Sequence, residues 1–291
     1  MTNRNIDFGY STYAMPKIDA FEAIPKLSSI GYKIVELCVA DSKTSSLNFD
    51  WKTNLSNIQS SWKEIKDISI SEGLKAPSLF DMFSVCADTS NRQEAMDRVK
   101  RTCELASNLN YERDHGVVVS TLGHPEPDLS WGLSTLLRDQ KKPIVDGLRE
   151  IGDIASEFNV IIGLEPHVGN LIDTPEKGAW AITQANHNNI KLDFDISHFI
   201  CQGIDVQHSF NLCAKYAGAV HIKDGYMENG KVVFQLPGEG ALNLTEYLDK
   251  IVEFKLSHLP VFAEVSFQLY TKDNYDEWKT AEDCYKYFSE A

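Results

Sequence analysis

The chain has 291 residues, 43% hydrophobic and 24% charged, with 17 Gly and 10 Pro. That composition excludes collagen-like, low-complexity and disordered chains and leaves room for one large core. A formal net charge of −14 lacks the basic surface that nucleic acids or anionic membranes require, so neither is expected as a partner.

Six cysteines, at 38, 86, 103, 201, 213 and 284, show no CxxC or zinc-finger spacing and read as free thiols in a reducing compartment. The opening MTNRNIDFGYSTYAM has no signal-like apolar core, and no run approaches the ~18 apolar residues of a membrane span. A cytoplasmic location is the resulting expectation.

In chain order, short apolar, β-branched runs alternate with longer stretches of helical period. A predicted strand over Ile6–Tyr10 precedes a helix over Pro16–Ile30, and Lys33–Cys38 precedes a helix over Trp51–Glu72. Lys75–Leu79 is followed by Arg92–Leu109, and Val117–Thr121 by Lys142–Phe158. Val160–Pro166 leads to Pro175–Gln184, and Ile190–Asp195 to Val206–Tyr216. Ala219–Lys223 leads to Leu244–Lys255, and Val261–Val265 to Tyr275–Phe288. Pro16 and Pro175 suit a first helical turn, and Gly31 and Gly73 suit helix ends.

Eight alternations without a linker predict an α/β fold, a (β/α)₈ TIM barrel spanning 1–291 as a single domain. An open doubly wound sheet would share the local pattern. However, Gly9 is followed by YSTYAM, so the GxGxxG turn of a dinucleotide-binding sheet is missing. Two long connections, Gly123–Leu136 and Gly225–Asn243, fall on the face where barrel substrates bind.

Polar residues at strand ends carry the functional signal. VIIGLEPH ends in Glu165, IKLDFDISH carries Asp195 and His198, GAVHIKD carries His221, and LPVFAEVSF carries Glu264. Each would be costly to bury alone. A divalent cation bound by Glu165, Asp195, His221 and Glu264 removes the cost, and three oxygen-type ligands with one nitrogen suit Mn²⁺ first, then Mg²⁺, Co²⁺ or Zn²⁺. Strand alternation puts His167 on the face of Glu165, where it either touches substrate or orients Glu165.

With DFGYST, GYKIVEL, LEPH, DFDISH, VHIKD, PGEG and FAEV in this order, the chain resembles the xylose isomerase-like TIM-barrel superfamily, in particular its sugar phosphate isomerase/epimerase branch. That branch includes ketose 3-epimerases, hydroxypyruvate isomerase, inosose dehydratase and endonuclease IV-type enzymes. The resemblance implies the same four metal ligands, a substrate-contacting role for His198, and proton exchange by Glu165 and Glu264 next to a substrate carbonyl.

Two departures limit the analogy. An arginine that the ketose 3-epimerases have soon after the seventh-strand histidine is missing from HIKDGYMENGKVV, where Lys223 is the available cation. The Asp-x-His of the three-zinc endonucleases is replaced by Val232, Val233 and Phe234. The resulting expectation is a metal-dependent isomerase or epimerase of a sugar or keto-sugar, working through an enediolate. A lyase or dehydratase on the same intermediate is the alternative, and a non-catalytic sugar-binding subunit the third reading.

Substrate contacts are expected from His198, His167, Lys223 and His124, with Trp131 as a lid. Glu36, Cys38, Phe80, Asp81, Met82 and Phe83 are further pocket candidates. Glu239 is expected mainly to shape the PGEG turn. The substrate is a small molecule, and homo-oligomerisation is left open.

Overall fold

In a computed structural model, described over residues 4–39, 55–82, 92–121 and 136–291, strands and helices alternate from the start. The first half runs β1 (Phe8–Ser11), α1 (Ala20–Ile30), β2 (Ile34–Cys38), α2 (Leu55–Ser71), β3 (Ser78–Phe80), α3 (Arg92–Leu109), β4 (Gly116–Thr121) and α4 (Leu136–Glu157). The second half runs β5 (Val160–Glu165), α5 (Pro175–Ala185), β6 (Ile190–Asp193), α6 (Ser197–Ile200), α7 (Val206–Cys213) and β7 (Ala217–Ile222). After these come β8 (Asp224–Glu228), β9 (Lys231–Gln235), α8 (Leu244–Glu253), β10 (Val261–Ala263), α9 (Phe267–Tyr270) and α10 (Glu277–Glu290).

Eight of the strands close a ring in the order β1-β10-β7-β6-β5-β4-β3-β2. Every pairing around the ring is parallel, from Phe8↔Val261 to Leu192↔Ala217. Parallel strands joined by helices must be covered on their outer face, which is why β2, β3 and β4 are buried at every residue. The expected TIM barrel is the observed fold.

The main core cluster runs between sheet and helices and includes Leu27, Val118, Ile162, Leu192, Val220 and Leu248. A smaller cluster joins Cys38, Phe80, Val117, Val119 and Ala219. Its members come from β2, β3, β4 and, across the ring, β7, so it fills the barrel's interior. Cys38 and Phe80 are therefore interior packing groups, although the Phe80 ring also lies 6.4 Å from that of His221.

Helix starts follow capping chemistry. Asp19 accepts from Glu22 N at 3.0 Å, so α1 begins at Ala20 and Pro16 lies ahead of it, outside the first turn where the sequence predicted it. At α5 the expectation holds, with Thr174 as cap and Pro175 in the first turn. Gly31, at φ 123°, ends α1.

The connection 225–243, read as a long loop, instead contains most of an antiparallel hairpin, β8–β9, with register Tyr226↔Val233. Gln268 of α9 tethers it, accepting from Phe234 N at 3.0 Å and donating to Val232 O at 3.1 Å. The expected lid residues His124 and Trp131, with Phe83, lie outside the described residues. Among the described residues no helix is long and apolar enough to cross a membrane, and Cys103, Cys201, Cys213 and Cys284 are buried free thiols.

Candidate metal centre

Register brings the predicted polar residues to one end of the barrel. Glu165 is the last residue of β5, and Glu264 follows β10 with its N–H bonded to Ile222 O at 3.1 Å. His221 pairs with Phe262 near the end of β7. Between Leu192 and Asp193 the β6–β7 register shifts, and such a bulge re-aims the residues beyond it. Asp193 and Asp195, two apart, both end up buried, and Asp195 is fixed by Ser197 N, 2.8 Å from its Oδ1.

One candidate ligand atom from each of Glu165, Asp195, His221 and Glu264 falls within 4.8 Å of the others, all four residues being buried. Lys223 sits among them. Its Nζ is 3.1 Å from Glu165 Oε1, 2.6 Å from Asp195 Oδ2 and 2.9 Å from Glu264 Oε1. His221 carries carboxylates on both ring nitrogens: Glu36 Oε2 is 3.0 Å from Nε2, while Glu264 Oε2 at 2.7 Å and Asp193 Oδ2 at 3.1 Å face Nδ1.

The electrostatics follow from these contacts. Burial is the largest single influence and would raise Glu165 and Glu264, but the Lys223 ammonium together with His167 and His221 at Glu165, and with His221 at Glu264, outweighs it. Glu165 is held below its ordinary range and Glu264 down to about 2. Burial would strip Lys223 and His221 of their protons. The surrounding carboxylates reverse this, Asp195 and Glu165 leading at Lys223 and Asp193 and Glu36 at His221, so both are held well above their usual values. Asp193 is driven well above the carboxylate range by burial.

Five buried acids, Glu36, Glu165, Asp193, Asp195 and Glu264, thus face two cationic side chains, Lys223 and His221. Even with Asp193 protonated the cluster is short of positive charge, which a divalent ion would supply. The donor set fits such an ion.

A second group, Glu165, His167 and His198, is equally compact, but its chemistry differs. Val168 N–H points at His198 Nδ1, 3.4 Å away, so this nitrogen accepts and Nε2 carries the proton, 3.1 Å from Glu165 Oε1. His198 in this tautomer is a donor to Glu165 and has no lone pair to offer a metal there. Burial, and then His167 and Lys223, keep His198 well below its usual range and neutral. His167 is half-buried, stacks at 3.9 Å between ring centroids on His198, and directs Nδ1 to Val168 O at 2.8 Å.

Other candidates fall elsewhere. Asp81 turns away from the site to α3, taking a bond from Thr102 Oγ1 at 2.7 Å and pairing with Arg98. Glu239 accepts from Tyr287 OH at 2.6 Å on the exterior, in keeping with a turn-shaping role for PGEG. Phe234, missed as a site residue, lies edge-on to His198 at 5.4 Å and 5.8 Å from Lys223 Nζ. Asp193 was also missed, although its spacing of two from Asp195 in a strand was a legible signal.

Asp224 explains the turn. Its Oδ1 accepts from Gly225 N at 2.7 Å and Leu242 N at 3.0 Å, and its Oδ2 from Gly238 N at 3.1 Å and Gly240 N at 2.9 Å. A Cβ on Gly240 would collide with the Asp224 carboxylate and come within 2.6 Å of Gly225 N. Asp224→Asn turns an amide donor toward N–H groups and is expected to cost about 1–3 kcal/mol, read from urea unfolding. A change within ~0.5 kcal/mol would show that the turn holds without this carboxylate.

These features define the class, a parallel barrel whose strand tips converge on buried acids suited to a divalent ion. The chain's residues 24–281 match the xylose isomerase-like TIM barrel family model, and the protein belongs to that family.

It is 29% identical over 143 residues to an inosose isomerase of Bacillus subtilis (strain 168), covering 46% of this chain and 49% of that protein. It is 28% identical over 151 residues to an inosose dehydratase of Geobacillus thermodenitrificans (strain NG80-2), covering 44% and 49%. The matches thus span about half the length of these relatives.

In three dimensions it is similar to D-psicose 3-epimerase of Clostridium cellulolyticum H10, solved with D-tagatose, at TM-score 0.74, 16% identity and coverage of 98% and 99%. It is also similar to the IOLI protein solved with a bound zinc atom, at TM-score 0.72, 19% identity and coverage of 98% and 96%.

Proposed function

We propose that the protein is a divalent-metal-dependent isomerase or epimerase of a sugar or keto-sugar that moves a proton on a carbon next to a carbonyl. The observation that carries this reading is the convergence of Glu165, Asp195, His221 and Glu264, with ligand atoms within 4.8 Å, around a cluster deficient in positive charge. Mn²⁺ is the first choice of ion. Bound there, a divalent ion would polarise the substrate carbonyl and stabilise the enediolate.

The protein's own groups are suited to the remaining tasks. Glu165 and Glu264 are both held ionised, so either can take the α-proton, and with the substrate between them the other can return one after taking a proton from solvent. Lys223 supplies a buried positive charge for a substrate oxygen, and His198 keeps Glu165 oriented through a 3.1 Å bond. His167 beside His198 and Phe234 over it are suited to bounding the substrate space.

A lyase outcome from the same enediolate is the second reading, favoured by the placement of Glu165, bonded by His198 Nε2–H: the carboxyl group formed when it takes the α-proton can hand that proton to a departing β-hydroxyl, which leaves as water. Relatives named inosose isomerase and inosose dehydratase accord with either outcome.

Incubation with Mn²⁺ and a panel of keto-sugars and inososes in deuterated water separates the readings. The expected result is deuterium at the α-carbon of a stereoisomeric product, lost on chelation and restored by the ion. Loss of water to an unsaturated product would establish the lyase, and inertness toward the whole panel would sink both.

A further inference from the structure

We propose that Glu36 is a positioning residue of the metal centre, fixing the tautomer and ring plane of His221 from the side away from the ion, with Ser11 fixing Glu36 in turn. The inference rests on the metal-centre reading above.

Glu36 belongs to β2, three places round the ring from His221 on β7. It is completely buried, and its carboxylate spans the barrel interior to reach the imidazole. Ser11 and Glu36 are register partners on adjacent parallel strands, so their side chains share a face. Ser11 Oγ donates to Glu36 Oε1 at 2.6 Å, leaving Oε2 for His221 Nε2 at 3.0 Å.

The chemistry of the contact has one consequence. An ionised carboxylate accepts and cannot donate, so His221 directs Nε2–H at Glu36. With Nε2–H committed to Glu36, Nδ1 is the nitrogen that gives up its proton when an ion binds, and it faces Glu264 of the candidate ligand group. Glu36 itself is on the far side of the ring and does not join the four-residue group. A carboxylate behind a ligating imidazole fixes the ring and raises its basicity, and losing such a partner typically weakens metal binding about 10–100-fold.

A merely structural ion pair would stabilise the fold without reference to the ion. Asp193, the other carboxylate near His221, lies on the Nδ1 side, 3.1 Å away, and cannot substitute for an acceptor at Nε2.

Mn²⁺ or Co²⁺ is titrated into the metal-stripped full-length protein, reading free Mn²⁺ by its spin resonance or bound Co²⁺ by its visible band. Glu36→Gln is expected to weaken binding about 10–100-fold, and Ser11→Ala to weaken it less. In a His221→Gln background, Glu36→Gln is expected to have no further effect, because its influence passes through the imidazole.

Wild-type affinity in Glu36→Gln, or an equal loss with and without His221, would overturn the positioning role while leaving the metal centre standing. Should Glu36→Gln fail to fold, Ser11→Ala decides: wild-type affinity there overturns the proposal. A wild-type protein that binds neither ion would instead overturn the metal centre itself.

Discussion

Glu264→Gln is expected to lower turnover by roughly 10²–10⁴-fold, the usual span for removing a positioned acid or base, and Glu165→Gln to do the same. Both replacements preserve shape and remove charge. In the native site Lys223 and the neighbouring imidazoles together hold both as carboxylates, Glu264 down to about 2, whereas an amide cannot take a proton and is a weaker metal ligand. Metal content separates the two roles. A variant that retains the ion but no longer exchanges the substrate α-proton has lost a base, and one that loses the ion has lost a ligand. Turnover within a factor of two of wild type in both variants would refute the proton-shuttle reading.

The second large effect is expected at Lys223. Its ammonium is 2% exposed and contacts Glu165, Asp195 and Glu264 between 2.6 and 3.1 Å. Lys223→Met removes the cation and leaves the acids facing one another, so the metal-free variant is expected to lose about 3–5 kcal/mol, as when one partner of a buried ion pair is deleted. Chemical denaturation of the stripped proteins measures this. Because a divalent ion and the ammonium compete for the same oxygens, Mn²⁺ is expected to stabilise Lys223→Met more than wild type. Stability of the stripped variant within ~0.5 kcal/mol of wild type would mean that the acids are already protonated and that Lys223 is not their counter-charge.

Much of this was readable in advance because strand ends are local features. An apolar run such as VIIGL that stops at Glu165, or VFA that stops at Glu264, exposes a conflict between burial and charge in the sequence alone. The eight alternations predict the barrel, and four such conflicts at equivalent strand ends predict the grouping found in space, that of Glu165, Asp195, His221 and Glu264.

Contacts across the ring were not readable. Glu36 appeared only as a pocket candidate because nothing local pairs it with His221, 185 residues away. Phe234 belongs to a hairpin whose sequence reads as loop, and its approach to His198 depends on the hairpin's fold and on the clamp from Gln268. Nothing local links Asp224 to the PGEG turn, yet its carboxylate is spent on the backbone there, 14 and 16 residues on.

The alternation, hence the parallel barrel, and the acids and imidazoles at the strand tips are legible along the chain, because period and strand polarity are properties of contiguous residues. Only closure of the ring settles the tautomer of His198, which carboxylate each nitrogen of His221 faces, the seat of the Lys223 ammonium and the charge balance around them. Those depend on which groups meet after closure of the ring, over distances of a few ångströms where the direction of each donor and acceptor decides the chemistry.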